Sequence, residues 1–526
     1  MKKRVLALTM SILLSFLALG GRLFTFTLTP QEASKQKSTR TREIHSTRGI
    51  IYDRSLNPLT NSTYKEIALI LPTQSSLEEM MKKEDKGTIE NAIKGYLTFK
   101  ECEANEKYTS SDDIKILKKF DRYSNSLATH IIGYTDSTGK GVYGIEKYFD
   151  KRLSDTGGRL SVTFSADALG RILVNEDVII RDDGYYTKDG LALTIDADIQ
   201  KFLEDALKNN NIIAGAGVVL NVQTNEILGC ASFPVFDRSN MEQSLTQANS
   251  PFLNRAFSQF PVGSVFKVVT AAAALEKGFI PEAFNCSGSI TFNENKFNCS
   301  KLSGHGHIDF SEAMAMSCNP YFIQLGVKTG KDELLGLCNK LHLGEACDFG
   351  NGYMTDKGTI PSAEELVCDA DVGNLAFGQG RLTATPLQIA CVFSAIANKG
   401  SYIEPTLIRG DVDENGKIIE TKRKDKEIAL SENTCNILAD ALQETTIIGT
   451  GAAAHSNLYT CCTKTATAQS GQFDEFGNEI KFCWFVGYFP KENPQYTICI
   501  MKENGSSGGS DCGPAFKEIA ENILFR

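Results

Sequence analysis

The chain opens on a segment that few structures accommodate. Met1-Lys2-Lys3-Arg4 is a basic tip. Val5 to Gly21 carries no charge and is mostly Leu, Ala, Ile, Phe and Val; Arg22 interrupts, and Leu23 to Leu28 resumes the apolar pattern. The whole run is about long enough to cross a bilayer as one helix. Arg22 falls towards the outer end, where a long side chain reaches the interface. The basic tip favours the cytoplasmic side for the N-terminus, so everything after the helix is expected outside the cytoplasmic membrane. The stretch Ala18-Leu19-Gly20-Gly21 offers the small residues of a cleaved signal peptide, which is the competing reading. A buried core helix fits poorly with the basic tip.

The 526 residues allow more than one domain, and 42% hydrophobic residues supply a sizeable core. The net charge of -9 and the lack of a basic stripe beyond the tip argue against a nucleic-acid partner. The 15 cysteines are scattered and odd in number, and most sit in apolar stretches. A disulfide scaffold is denser and more regular, so most are read as free, buried thiols.

The first division falls after residue 29. Residues 30 to 47 are polar and read as a juxtamembrane linker. Up to about 190, strand-like runs such as Ile67 to Leu71 alternate with charged helical ones such as Ser76 to Ile93. Turns are marked at Gly157-Gly158, Gly170 and Asp182-Asp183-Gly184. Residues 30–190 are taken as one domain and 191–526 as the next. In the latter, Ala197 to Asn209 reads as an amphipathic helix, and Gly217 to Val222 with Glu226 to Ser232 as a hairpin around Gln223-Thr224-Asn225. The middle, 264 to 400, is mostly helical. Strands return at Thr460 to Ala468, Phe482 to Phe489 and Tyr496 to Lys502, before a helix from about Pro514 to Leu524. Strands at both ends with helices between predict one antiparallel sheet packed with helices, an α+β domain.

Three short motifs carry chemistry. Ser264 and Lys267, in Phe260-Pro261-Val262-Gly263-Ser264-Val265-Phe266-Lys267, lie one helical turn apart, so an amine can reach a hydroxyl. A serine nucleophile needs an adjacent base, and a lysine serves if burial or nearby cations lower its pKa. Ser264 also falls at a helix start, which favours negative charge. The second motif is Ser317-Cys318-Asn319, a hydroxyl and an amide two residues apart. The third is Lys464-Thr465-Ala466-Thr467, where a strand edge offers an amine, hydroxyls and backbone N–H groups. Each alone is weak, and a surface serine, a turn and a solvent strand explain them as well. Their order is the stronger signal: S-x-x-K, S-x-N, then K-T-x is the ordered signature of penicillin-interacting serine enzymes.

With these motifs the chain resembles class B penicillin-binding proteins over nearly its full length. Arg48-Gly49-Ile50-Ile51-Tyr52-Asp53-Arg54 is similar to the family's R-G-x-x-x-D-R box, and Gly141-Val142-Tyr143-Gly144-Ile145-Glu146 to its G-x-x-G-x-E box. Leu253-Asn254-Arg255-Ala256 precedes the nucleophile, and Phe377-Gly378-Gln379-Gly380 resembles the G-Q-G segment. The resemblance implies a β-lactamase/transpeptidase-like domain on an elongated N-terminal pedestal, with a single transmembrane helix. It implies a peptidoglycan DD-transpeptidase acting on stem peptides, inhibited by β-lactams and working beside a membrane glycosyltransferase. Ser264 is then the acylated nucleophile, Lys267 its base and Ser317 the proton relay. Asn319 orients Lys267, Lys464 polarises Ser317, and Thr465 and Thr467 hold the substrate carboxylate. A DD-carboxypeptidase or β-lactamase-like hydrolase, and a non-catalytic cell-wall scaffold, are the alternatives.

Two features stand apart. Ala466 replaces the family's glycine, and its methyl on the Lys464 side is expected to narrow the cleft or shift the backbone slightly. Cys286, Cys299, His305 and His307 have a spacing that suits a zinc ion without matching a strict finger; a disulfide or buried thiols explain them equally, and no other cofactor is expected.

Overall fold

The structure is a computed structural model. It describes residues 2–28, 38–71, 73, 76, 82, 100–104, 108–124, 127–166, 173, 178–279, 282–292, 294–473 and 477–526. Most of the expected helical run Ser76 to Ile93, the turn at Gly170 and residues 30–37 of the expected linker lie outside the described residues. Contacts divide the chain into two compact units.

The first unit comprises Met1–Thr47, Thr63–Asp121 and Gly157–Thr187. It begins with helix α1 (Lys2–Leu28), in which the stretch Ala7–Phe24 has a mean hydropathy of 1.7 and none of it is buried. Six strands follow among the described residues: β1 (Ser38–Ser46), β2 (Thr63–Ile70), β3 (Lys100–Glu103), β4 (Ile114–Asp121), β5 (Arg159–Ala166) and β6 (Ile179–Asp183). They form two antiparallel sheets, ordered β1-β5-β6 and β3-β2-β4. Ile67, Leu69 and Leu117 from one sheet share a core with Leu160, Val162 and Phe164 from the other. Residues 38–46 are therefore strand rather than linker. Their charges hid this, because β1 is an edge strand whose polar side chains face solvent, the usual device against edge-to-edge pairing.

The second unit comprises Arg48–Ser62, Arg122–Thr156 and Lys188–Arg526. Segments 48–62 and 122–156, assigned by sequence to the 30–190 domain, thus pack with the catalytic-motif region. The strand Ile50–Tyr52 pairs with Gly190–Leu193, which in turn pairs with Ile408–Val412. The two sequence boxes meet at Glu146, which is 0% exposed. Its Oε2 accepts from Arg48 Nε at 3.0 Å and its Oε1 from Arg122 Nε at 2.6 Å and from the Tyr123 hydroxyl at 3.0 Å.

The central sheet contains β7 (Gly215–Asn221), β8 (Ile227–Phe233), β9 (Cys462–Phe473), β10 (Glu479–Phe489) and β11 (Tyr496–Glu503), ordered β8-β7-β11-β10-β9 and antiparallel throughout. Its strands come from both ends of the region, as the sequence predicts. Side chains alternate between two faces. One face buries Val219, Leu228, Phe485 and Ile500 against α2 (Ala197–Asn209), which presents Ile199, Leu203, Ala206 and Leu207 on one stripe. Asp196 caps that helix, accepting from the amides of Asp198 and Ile199. The other face buries Val218, Trp484, Val486 and Met501 among α3 (Lys267–Glu276), α4 (Phe310–Ala315), α5 (Asn319–Thr329), α6 (Pro386–Ala397) and α7 (Glu432–Ile447). The last helix, α8 (Gly508–Leu524), starts before Pro514, because Ser507 caps it by accepting from Ser510 N. All 15 cysteines are free thiols and 13 are buried.

Candidate active site

A cleft of about 620 Å³ opens where the three motifs converge. Ser264 sits on a 3-10 turn, Gly263–Phe266, that runs directly into α3. Gly263 has φ 62, and a Cβ there would fall 2.9 Å from the Ala468 Cβ on β9, so the turn lies hard against the strand. Its N–H donates to Gly378 O at 3.0 Å. Gly378 in turn has φ 86, and a Cβ there would lie 1.8 Å from Gly263 O. The G-Q-G segment therefore packs directly against the Ser264 turn.

Lys267 is the first residue of α3 and is wholly buried. Its Nζ donates to Ser317 O at 2.7 Å, to Ser317 Oγ at 3.1 Å and to Asn319 Oδ1 at 2.6 Å. Ser317 lies between α4 and α5 in the left-handed region, φ 54. That conformation turns both its carbonyl and its hydroxyl to the lysine. Asn319, at the start of α5, donates through Nδ2 to Asn298 O at 3.0 Å, which fixes its amide. Lys464, also wholly buried, reaches from β9 and donates to Ser317 Oγ at 2.9 Å and to Thr465 O at 3.1 Å.

Burial disfavours charge on both amines. It brings Lys267 down to about 7. Lys464 is held well below the usual lysine range by burial first and then by the neighbouring Lys267 charge. Ser264, Ser317 and Asn319 line the cleft, and the buried Lys267 and Lys464 reach its wall through Ser317. Thr465 donates to Thr450 Oγ1 at 2.6 Å, and the exposed Thr467 accepts from Gly508 N at 3.4 Å through its hydroxyl. Ala466 is 4% exposed, and its methyl faces the Gly263 turn, 3.4 Å from where a Cβ on that glycine would stand. It lines the cleft beside that turn.

Sequence reasoning missed Thr450 and the N-terminus of α8, where Ser507, Gly509 and Ser510 line the cleft. It also chose one residue of the thiol–imidazole group wrongly. Cys286, Cys299 and His305 do come together, but the fourth member is Cys318, not His307. His307 points to solvent from a strand in which it pairs with Asn285. Cys318 occupies the middle position of the S-x-N motif, which was read only for its two neighbours.

Comparison with known proteins gives the chain a family. The penicillin-binding protein transpeptidase domain family matches residues 215–521, more than half of the chain. Stage V sporulation protein D of Bacillus subtilis (strain 168) is 30% identical over 428 residues, 76% of this chain and 62% of that relative's length. Penicillin-binding protein 3 of Mycobacterium tuberculosis, solved with ampicillin, superposes with a TM-score of 0.67 at 23% identity, covering 93% of this chain and 96% of the other. A chain from a structure titled as a peptidoglycan synthase complex that coordinates polymerization and crosslinking reaches 0.69 at 22% identity, covering 99% and 98%. The last two share the fold. On the family match, the relative and the converging motifs together, the chain belongs to the penicillin-binding proteins, and within them to class B.

Proposed function

We propose that the protein is a serine-type D-Ala-D-Ala transpeptidase that cross-links peptidoglycan stem peptides and is acylated by β-lactams. One observation carries this reading: Ser317 Oγ is held between the Nζ atoms of Lys267 and Lys464 in the cleft that Ser264 lines.

An amine with a pKa near 7 is a competent base at neutral pH. Neutral Lys267 keeps two N–H donors and gains a lone pair to take the Ser264 proton. Ser264 Oγ then forms an ester with the penultimate D-Ala carbonyl carbon. The C–N bond to the terminal D-Ala breaks, and the proton passes through Ser317 to the departing amine. An amine of a neighbouring stem attacks the ester, its proton returns along the same route, and the Ser264 hydroxyl is restored. The Ser264 and Thr467 backbone N–H groups stabilise the oxyanion. Lys464 polarises Ser317, Thr465 and Thr467 hold the substrate carboxylate, and Asn319 orients Lys267. Helix α1 serves as a single-pass anchor that keeps this chemistry outside the cytoplasmic membrane. A membrane glycosyltransferase partner supplies the glycan strands; the likeness to the synthase-complex chain supports that association.

The test is intact-mass analysis of the full chain after exposure to benzylpenicillin. One adduct per chain that persists for hours and is absent from Ser264→Ala is expected. An adduct retained by Ser264→Ala overturns the assignment. Release within seconds points to a hydrolase, and no adduct on a folded protein points to a scaffold.

A further inference from the structure

The thiol–imidazole group beside the cleft has no part in the acyl-transfer steps, yet it is built as a site. The Sγ atoms of Cys286, Cys299 and Cys318 and a ring nitrogen of His305 all lie within 4.8 Å of one another. Three separate pieces of chain bring them there. Cys286 ends the strand Phe284–Cys286, Cys299 follows the hairpin Ser289–Phe292/Asn295–Asn298, and Cys318 immediately precedes α5. His305 directs Nδ1 to the Cys299 sulfur at 3.4 Å. The three cysteines are buried, and no disulfide joins them.

We propose that Cys286, Cys299, His305 and Cys318 bind one Zn²⁺ in a closed, four-ligand site that holds the Ser317-Cys318-Asn319 turn in its catalytic shape. Three thiolates and one imidazole are a soft, tetrahedral donor set that suits zinc, and a filled fourth position marks a structural site. With metal–ligand bonds of about 2.0–2.3 Å the ligand atoms stand about 3.3–3.8 Å apart, a small contraction of the arrangement present. Each cysteine releases its proton to solvent on binding.

The link to the cleft is covalent. Cys318 sits between Ser317, whose hydroxyl and carbonyl meet Lys267, and Asn319, whose amide meets the same lysine. Ser317 holds a left-handed backbone, φ 54, that a side chain does not favour. A metal on Cys318 ties that turn to Cys286, Cys299 and His305 on the preceding segments. Metal binding stands on geometry alone; its effect on acylation rests on the transpeptidase reading.

The test uses the full chain in detergent with a tag free of histidine. Elemental analysis is expected to find about one zinc per chain in wild type, His307→Ala to keep it, and Cys286→Ser or His305→Ala to lose most of it. Cobalt substitution is expected to give the visible d–d bands of a tetrahedral thiolate site together with sulfur-to-cobalt charge transfer. Stripping the zinc with a chelator, or Cys286→Ser, is expected to slow penicillin acylation by about 10- to 100-fold, with readdition of zinc restoring the stripped wild type. Less than a tenth of an equivalent of zinc in wild type, a disulfide among these cysteines by non-reducing mass analysis, or a wild-type cobalt spectrum without thiolate bands overturns the site even if the variants do not fold. Full zinc with an unchanged acylation rate after stripping overturns its role in the turn. Normal metal binding with no penicillin adduct separates failure of the transpeptidase reading from failure of this one.

Discussion

Lys267 and Lys464 converge on a single hydroxyl, their Nζ atoms 3.1 and 2.9 Å from Ser317 Oγ, one arriving from the start of a helix and the other from a strand. A hydroxyl oxygen has two acceptor sites, so both are filled and the O–H remains free to donate into the cleft. In the proposed acyl transfer the serine is thereby oriented as a proton donor to the leaving amine.

The pH dependence follows from Lys267. Its pKa is lowered to about 7 by burial, so the neutral, basic form gains population as pH rises through that value. The second-order rate of penicillin acylation is expected to fall about tenfold per pH unit below 7 and to level off above it. Stopped-flow or quench measurements from pH 5 to 9 read this directly, and a flat profile removes Lys267 as the base.

Lys464→Met keeps the apolar stem and removes the amine. Acylation is expected to slow by about 10²–10³-fold, the range for losing one electrostatic donor at a reacting centre. The melting temperature should hold or rise, because a buried amine is replaced by a side chain that belongs in the core. Loss of labelling together with early melting contradicts the assignment of Lys464 to chemistry.

Gly378 and Gly380 both have positive φ, near 86 and 83, but differ in surroundings. Gly378→Ala places a methyl on Gly263 O and is expected to abolish labelling. The nearest atom to a Cβ on Gly380 is 3.9 Å away, so Gly380→Ala carries only backbone strain, about 1–2 kcal/mol. Equal behaviour of the two variants in penicillin labelling and urea melts defeats the packing argument.

Ala466→Gly is expected to leave acylation equal or faster, since the methyl lines the cleft beside the Gly263 turn and its removal widens the opening. It should cost about 1 kcal/mol of stability for the lost buried methyl and the freer backbone. A clear slowing shows that the methyl is needed to set that turn.

Glu146→Ala leaves Arg48 and Arg122 without their shared buried carboxylate. Unfolding free energy is expected to drop by about 3–5 kcal/mol, read from the urea midpoint. A change under about 1 kcal/mol means that the two boxes are held by other contacts.

How far the sequence could be read depended on whether a feature was set locally. Ser264 and Lys267 are positioned by one helical turn, and α2 begins and ends at the expected residues because Asp196 and a clean apolar stripe define it. The strands of the central sheet were visible as apolar runs, since both their faces are covered. Strand β1 was not, because its partner, residues 159–166, lies far along the chain and its own side chains are polar. Segments 48–62 and 122–156 carried recognisable boxes, but nothing in either announces the Glu146 ion pairs that unite them. Cys318 was hidden for a different reason: its motif is defined by the residues on both sides, so its own chemistry went unread.

The pairing of β7 with β11 sets Gly215 opposite Lys502. During synthesis the N-terminal hairpin emerges long before the strand that covers its inner edge, and closing so long a loop is entropically slow. Until that strand is made, β7 therefore stands as an open template for foreign strands, and truncation anywhere before residue 496 should leave an aggregating product instead of a smaller folded one.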